Sequence, residues 1–176
     1  TACQVRNGWN DPAPPAHIYG NSWYVGTCGI SAILITSPDG HMLVDVGTAE
    51  AAPLVAANIE KVGFALTDIR IIAISHEHAD HAGGLAEMQR RTGASVAASF
   101  AAAPVLKSGE ADVDDPQRGN LPPLASTPIS WALKDGEILS ISDLLITPHL
   151  TPAHSPGSAS WTWKSCEGDV CQTMTY

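Results

Sequence analysis

Residues 76–81 read His-Glu-His-Ala-Asp-His, so three of the seven histidines of a 176-residue chain, with a carboxylate among them, fall in one short stretch. A solvated polar turn accounts for one such histidine. It does not account for three beside Asp80 at the exit of the apolar run Ile69–Ser75. Metal chemistry explains the spacing: in an extended segment the side chains at i and i+2 point the same way, with α-carbons about 6.5 Å apart, so His76 and His78 can grip one ion. Asp80 and His81 come after the chain has left the strand and turn to a second position. With Zn–N distances of about 2.0–2.1 Å, two ions can then sit about 3.5–4 Å apart. The pattern is not the i, i+4 histidine pair of a helical zinc protease, because Gly83 and Gly84 place the start of the next helix after the cluster.

A catalytic zinc takes three protein ligands, so a further donor is needed from His17, His41, His149 or His154. His154 is the candidate, because Pro152, Pro156 and Gly157 fix its loop between two strands, where side chains are held for chemistry more often than for packing. His149 ends the run Leu144–Leu150 and reads as a half-buried strand residue; His17 and His41 read as surface residues. A ligating histidine normally passes its other N–H to an acceptor. Asp45, at the end of the run 41–46, is a candidate for that acceptor, and the alternative is a helix cap, a role open also to Thr48.

The elements that position these residues can be read from periodicity. The first twenty residues contain Pro12, Pro14 and Pro15 and no repeat, which predicts an arm over residues 1–17 laid on a domain spanning 18–176. β-Branched and aromatic runs at 22–26, 30–37 and 41–46 predict strands. Val55, Ile59 and Val62 recur at helical spacing between Pro53 and Gly63. The run 68–75 is apolar without alternation, as in a strand buried on both faces. Leu85, Met88 and Thr92 mark a second helix ending at Gly93, residues 95–99 a strand and 100–108 a short helix. The acidic, Pro- and Gly-rich segment 109–126 is long for a connection, and such loops are often functional. Five strand-like runs come after it, at 128–133, 137–141, 144–150, 158–165 and 171–176. Strands, then strand–helix alternation, then strands again predict a layered α/β sandwich and not a doubly wound sheet.

Composition narrows the partners. Eighteen acidic against nine basic residues give a net charge of −9, which disfavours nucleic acid and anionic membrane, and no run is apolar enough to span a bilayer. The chain begins at Thr1 without an initiator Met or signal segment, and its four cysteines are an even number. Both features read as a processed protein of an oxidising compartment, periplasmic or secreted. Of the three possible pairings, Cys166–Cys171 closing a hairpin and Cys3–Cys28 tying down the arm are favoured. A cysteine zinc site is the competing reading, against which stands the absence of C-x2-C spacing.

The string His76-x-His78-x-Asp80-His81 matches in full the H-x-H-x-D-H signature of the metallo-β-lactamase superfamily, which the chain resembles from Ile18 onward. Residues 43–48 (LVDVGT) and 151–158 (TPAHSPGS) stand where that family has its second-strand Asp and third histidine. Residues 24–37 and 161–171 look like the class B zinc β-lactamases of subclass three. The resemblance implies an αββα sandwich and two zinc ions, one on His76, His78 and His154, the other on Asp80, His81 and one further histidine. It also implies hydrolysis of penicillins, cephalosporins and carbapenems by a zinc-bound hydroxide, with Asp80 in the catalytic machinery and with Trp9 and the loop 109–126 flanking the substrate groove. Ala153 and Ser155 depart from the Gly and Thr more usual there. The chain stops at Tyr176 where the family's second half begins, so it is expected to hold the N-terminal half and the start of the second, to lack the sixth ligand, to bare an apolar sheet face, and to pair with its own C-terminal segment. A lactonase or thioesterase of the same superfamily and a non-catalytic zinc-binding fragment are the alternatives.

Overall fold

The computed structural model describes residues 2–176. Seven strands form one sheet in chain order: β1 (Ala16–Tyr19), β2 (Ser22–Tyr24), β3 (Ile33–Ile35), β4 (His41–Val44), β5 (Ile69–Ala73), β6 (Ser95–Ser99) and β7 (Trp131–Leu133). Neighbours run antiparallel from β1 to β4 and parallel from β4 to β7. The parallel part requires crossovers, which carry α1 (Ala52–Lys61), α2 (Ala79–Ala82), α3 (Leu85–Thr92) and α4 (Ala102–Ser108). The chain then makes an antiparallel meander, β8 (Leu139–Ile141), β9 (Leu144–Leu150), β10 (Ala159–Glu167) and β11 (Val170–Thr175), which is the second sheet.

The unbroken apolar runs have their reason in burial on both faces. Successive residues of a strand point to opposite sides, so Leu34, Leu43, Ile72 and Val96 face the helices and pack with Val55, Ile59, Leu85, Met88 and Leu106. Ile33, Met42, Val44, Ile71 and Ala97 face the second sheet and meet Leu139, Leu144, Ile146, Trp161 and Trp163. Trp161 is fully buried, and truncating such a side chain to alanine costs about 3–5 kcal/mol.

The result is helix, sheet, sheet: three layers of the expected αββα sandwich. No helix comes after α4 among the described residues. The outer face of the second sheet is not the apolar surface expected of it. β9 and β10 alternate, so Thr147, His149, Ser160, Thr162 and Lys164 face outward with Leu145, while their neighbours fill the inter-sheet core.

Two further expectations change. The arm does not stay irregular: its last residues enter the edge strand β1, turned back onto β2 through Gly20 at φ +53°. His41 is not a surface residue. It is buried at the start of β4, edge-on to Phe64 at 5.0 Å, and Ser37 N–H donates to its Nδ1 at 3.3 Å. Both disulfides pair as favoured: Cys3 to Cys28, and Cys166 to Cys171, which stand opposite each other across β10 and β11.

Candidate metal centre

β4 and β5 end side by side, and the cluster is built on the loop at the end of β4 and on the segment that leaves β5. Asp45 comes directly after β4 in a left-handed conformation, φ +61°, which a non-glycine residue adopts only where its surroundings hold it there. Its carboxylate is fully buried and both oxygens are occupied. Oδ1 accepts the Ser75 N–H at 2.7 Å; Oδ2 accepts the Ser75 hydroxyl at 2.6 Å, His81 Nδ1–H at 2.6 Å and the Tyr176 hydroxyl at 2.9 Å. Asp45 is therefore not the helix cap. Nor is Thr48: its Oγ1 accepts the Ala51 N–H at 3.0 Å in the turn that leads into α1, whose N-cap is Ala51 with no side-chain cap.

After β5 the chain does not stay extended: it bends at Ser75, Glu77 and His78, the last with φ and ψ of −85° and 155°, and then enters α2 at Ala79. Asp80 and His81 thus lie inside a one-turn helix that begins within the cluster, not in a turn ahead of the helix start. Gly83 is the C-cap of α2 and Gly84 the N-cap of α3, so the helix expected after the glycines is there and α2 is an additional one ahead of them. A Cβ at Gly83 would stand 2.9 Å from the Ala49 nitrogen, and one at Gly84 3.0 Å from the Thr48 carbonyl, so the two glycines let the helices close onto the loop after β4.

His76, His78 and His154 come together, and so do His76, Asp80 and His81; within each group the ligand atoms lie within 4.8 Å of one another. His76 stands between the two groups, its ring centroid 4.9 Å from those of His78 and His154 and 4.5 Å from that of His81.

The hydrogen bonds assign the tautomers. Asp115, from the loop 109–126, takes His78 Nε2–H at 2.8 Å, leaving the Nδ1 lone pair facing His154 Nε2 at 3.1 Å. Asp45 takes His81 Nδ1–H, leaving Nε2 near Asp80 at 3.5 Å. Ser75 Oγ donates to Asp45, so at 3.1 Å it can only accept His76 Nδ1–H. His76 Nε2 is then a buried lone pair, the one buried side-chain nitrogen or oxygen without a partner among the described residues. A buried lone pair without a partner is a poor arrangement without a cation and a suitable one beside it. The donor set fits a metal ion.

Electrostatics separates the two sides. Burial, reinforced by the neighbouring His81, pushes His76 down from 6.5 to about 4, so it is neutral and ready to ligate. For His81 burial acts in the same direction, but the hydrogen bond and charge of Asp45, with Asp80 beside it, outweigh it and raise the pKa. Burial would raise Asp115, but the Gln117 N–H and His78 hold it below the ordinary carboxylate value.

The remaining histidines stand apart. His17 lies on β1 against Trp23, its Nε2 bonded to the Gly20 carbonyl; His149 is exposed on the outer face of the second sheet, bonded to Thr162 at 2.8 Å. Neither joins the cluster. Trp9 is 57% exposed and with Asn10, Thr48, Asp80, Pro122 and Pro123 lines a cleft of about 500 Å³ between the arm and the loop 109–126. Sequence reasoning missed Asp115, which no spacing links to His78; the only signals were the loop's length and the need for an acceptor near a ligating histidine. It also missed Ser75 and Tyr176 as partners of Asp45.

The model of the metallo-β-lactamase superfamily matches residues 25–167. The chain belongs to this superfamily. Over 97% of its length it superposes, with a TM-score of 0.95 and 55% identity, on the metallo-β-lactamase MIM-1 from Novosphingobium pentaromativorans, of which it spans 63%. With the subclass B3 metallo-β-lactamase MEM-A1 from a soil metagenome library it shares 46% identity over 96% of its length and 64% of that chain, with a TM-score of 0.92. A hydroxyacylglutathione hydrolase of Rhodopseudomonas palustris is 29% identical over 130 residues, which are 74% of this chain and 42% of that protein. The chain thus spans under two thirds of each of these relatives. Superfamily membership and the histidine cluster agree on metal binding.

Proposed function

We propose that the protein is a zinc-dependent β-lactamase of the subclass B3 type, opening the β-lactam ring of penicillins, cephalosporins and carbapenems. The observation that carries this reading is the 55% identity to a metallo-β-lactamase across 97% of the chain; the hydroxyacylglutathione hydrolase is 29% identical over 74% of it. His76, His78 and His154 would hold one ion. Asp80 and His81, with His76 beside them, would hold a second. Zinc supplies a Lewis acid for the carbonyl and acidifies water to a pKa of about 7.

The chain's own residues do the rest. Asp115 and Asp45 fix which nitrogen of His78 and of His81 is free to ligate. Asp80 lies where the cleft meets the cluster, where it would hold the second ion beside His81. Trp9 offers an exposed aromatic face at the other end of the cleft. Two dications offset the acidic surface, so an anionic antibiotic can approach a chain of net charge −9.

Turnover of nitrocefin and a carbapenem, with a lactone and S-lactoylglutathione alongside and with each assay repeated under chelation, tests the reading. Rapid, zinc-dependent loss of the β-lactams is expected. Thioester hydrolysis with the β-lactams untouched would establish the hydroxyacylglutathione hydrolase reading instead. Both disulfides are formed, and no helix of the described residues is long and apolar enough to cross a membrane. These facts support export to the periplasm or beyond.

A further inference from the structure

Asp45 and Asp115 each touch a ligand ring. Glu77, the third buried carboxylate beside the cluster, touches none, yet it is only 3% exposed. It lies between His76 and His78, and its carboxylate reaches instead to the turn that carries His154. One oxygen accepts the Ser155 hydroxyl at 2.9 Å, the other the Gly157 N–H at 2.9 Å. The turn meets it closely: a Cβ on residue 157 would stand 2.3 Å from Glu77 Oε2 and 2.5 Å from the Ala102 Cβ, so only glycine fits there. The Ser99 hydroxyl donates to the Gly157 carbonyl at 2.7 Å while its oxygen accepts the Ala102 N–H at the start of α4.

His154 itself is exposed; its ring leans on those of His76 and His78, at 4.9 and 4.8 Å, with its Nε2 3.1 Å from His78 Nδ1. The turn that carries it is held by Glu77 one and three residues later, through the Ser155 hydroxyl and the Gly157 N–H. The Asp80–His81 side has separate supports, Asp45 and α2, and no bond to Glu77.

We propose that Glu77 is the positioning residue of the tri-histidine site: by tying the His154 turn to the segment that carries His76 and His78, it sets the separation at which the three donor nitrogens meet. This rests on the metal-binding reading of the cluster and adds to it a side chain that contacts no ligand. A glutamine should serve nearly as well, since its oxygen accepts the Gly157 N–H and its amide donates to Ser155 Oγ, whose own proton turns to Ser158 Oγ 3.0 Å away. An alanine should not.

The test uses the full-length protein and competition between zinc and a chromophoric chelator, with metal-free unfolding followed alongside. In an Asp80→Ala/His81→Ala background, where only the tri-histidine site remains, Glu77→Ala should weaken zinc about 10- to 100-fold, and Glu77→Gln should stay close to its parent. In a His78→Ala/His154→Ala background the same Glu77→Ala change should leave metal affinity unaltered. Should Glu77→Ala fail to fold, Ser155→Ala, which removes one of the two bonds, carries the comparison with a smaller loss. Unchanged affinity in Glu77→Ala, equal loss in Glu77→Gln, or equal loss in both backgrounds would overturn the proposal while leaving the metal reading intact. A parent protein that binds no zinc overturns both.

Discussion

The two sides of the histidine cluster are built differently. The His76–His78–His154 side gathers residues 76 and more apart in the chain onto one point, each ring turned by a hydrogen bond or a gripped turn, with His76 kept neutral. The Asp80–His81 side comes from neighbouring residues of a single helical turn, oriented by one carboxylate, and its histidine holds its proton more tightly than usual. The first is a site assembled by the tertiary fold and ready for a metal ion. The second is local, and a metal ion competes there with a proton held more tightly than usual.

The largest effect should come from removing the residue the two sides share. His76→Ala removes the one free lone pair that stands between the two groups and breaks the tri-histidine set, so zinc content and β-lactam turnover should both fall sharply, read by metal analysis and a nitrocefin assay; unchanged zinc content and full rate would falsify the assignment of the cluster as the site. Next come the two orienting carboxylates, which should divide the sides. In Asp115→Asn the amide can turn its NH2 group toward His78 Nε2 and disturb the tautomer of the first side. Asp45→Asn does the same to His81 on the second. Each should weaken its own position about 10- to 100-fold and the other much less, in two-site titrations. If both substitutions weakened both positions alike, the cluster would be one cooperative unit and the comparison would fail.

A smaller effect concerns protons. Because His76 is lowered to about 4, it releases no proton when metal arrives at neutral pH. His81, whose pKa is raised, holds a larger share of proton at the same pH and releases correspondingly more. Lowering the pH from neutrality towards about 6 should therefore weaken the second position more than the first; calorimetry in buffers of different ionisation heat counts the protons. Without metal, the depressed pKa of His76 contributes stability above pH 6.5 that is lost as the pH falls towards 4, whereas the raised pKa of His81 contributes below 6.5 and is lost on the alkaline side. The smallest change at the site should come from replacing Cys166 and Cys171 by serine. The chain-entropy model gives about 2 kcal/mol for so short a loop, visible as a lower midpoint of denaturation, with zinc affinity at both positions unchanged.

Legibility in the sequence divides along the same line. The local side is legible: four residues of one motif need only their spacing, and α1, α3 and β9 are plain from their periodicity. Contacts between distant segments are hidden. Asp115 is one acid among Glu110, Asp112 and Asp114 in a loop without period, and only the fold chooses which reaches His78. His41 reads as a surface residue because its cover, Phe64, comes from beyond α1. Within the motif, α2 escapes notice because it is a single turn without a period of its own; the glycine pair after it both bounds the two helices and lets them close onto the loop after β4.

The lone pair of His76 that nothing touches has a thermodynamic side. Burying it without a partner costs the folded chain about 1–3 kcal/mol, which metal capture would remove while adding binding energy of its own. A ligand that binds only the folded form raises its stability by RT ln(1 + [L]/Kd), about 4 kcal/mol at a thousandfold excess over Kd. The melting temperature of this protein should thus track the free zinc around it, and in a medium depleted of the metal the chain should grow fragile to heat and proteases.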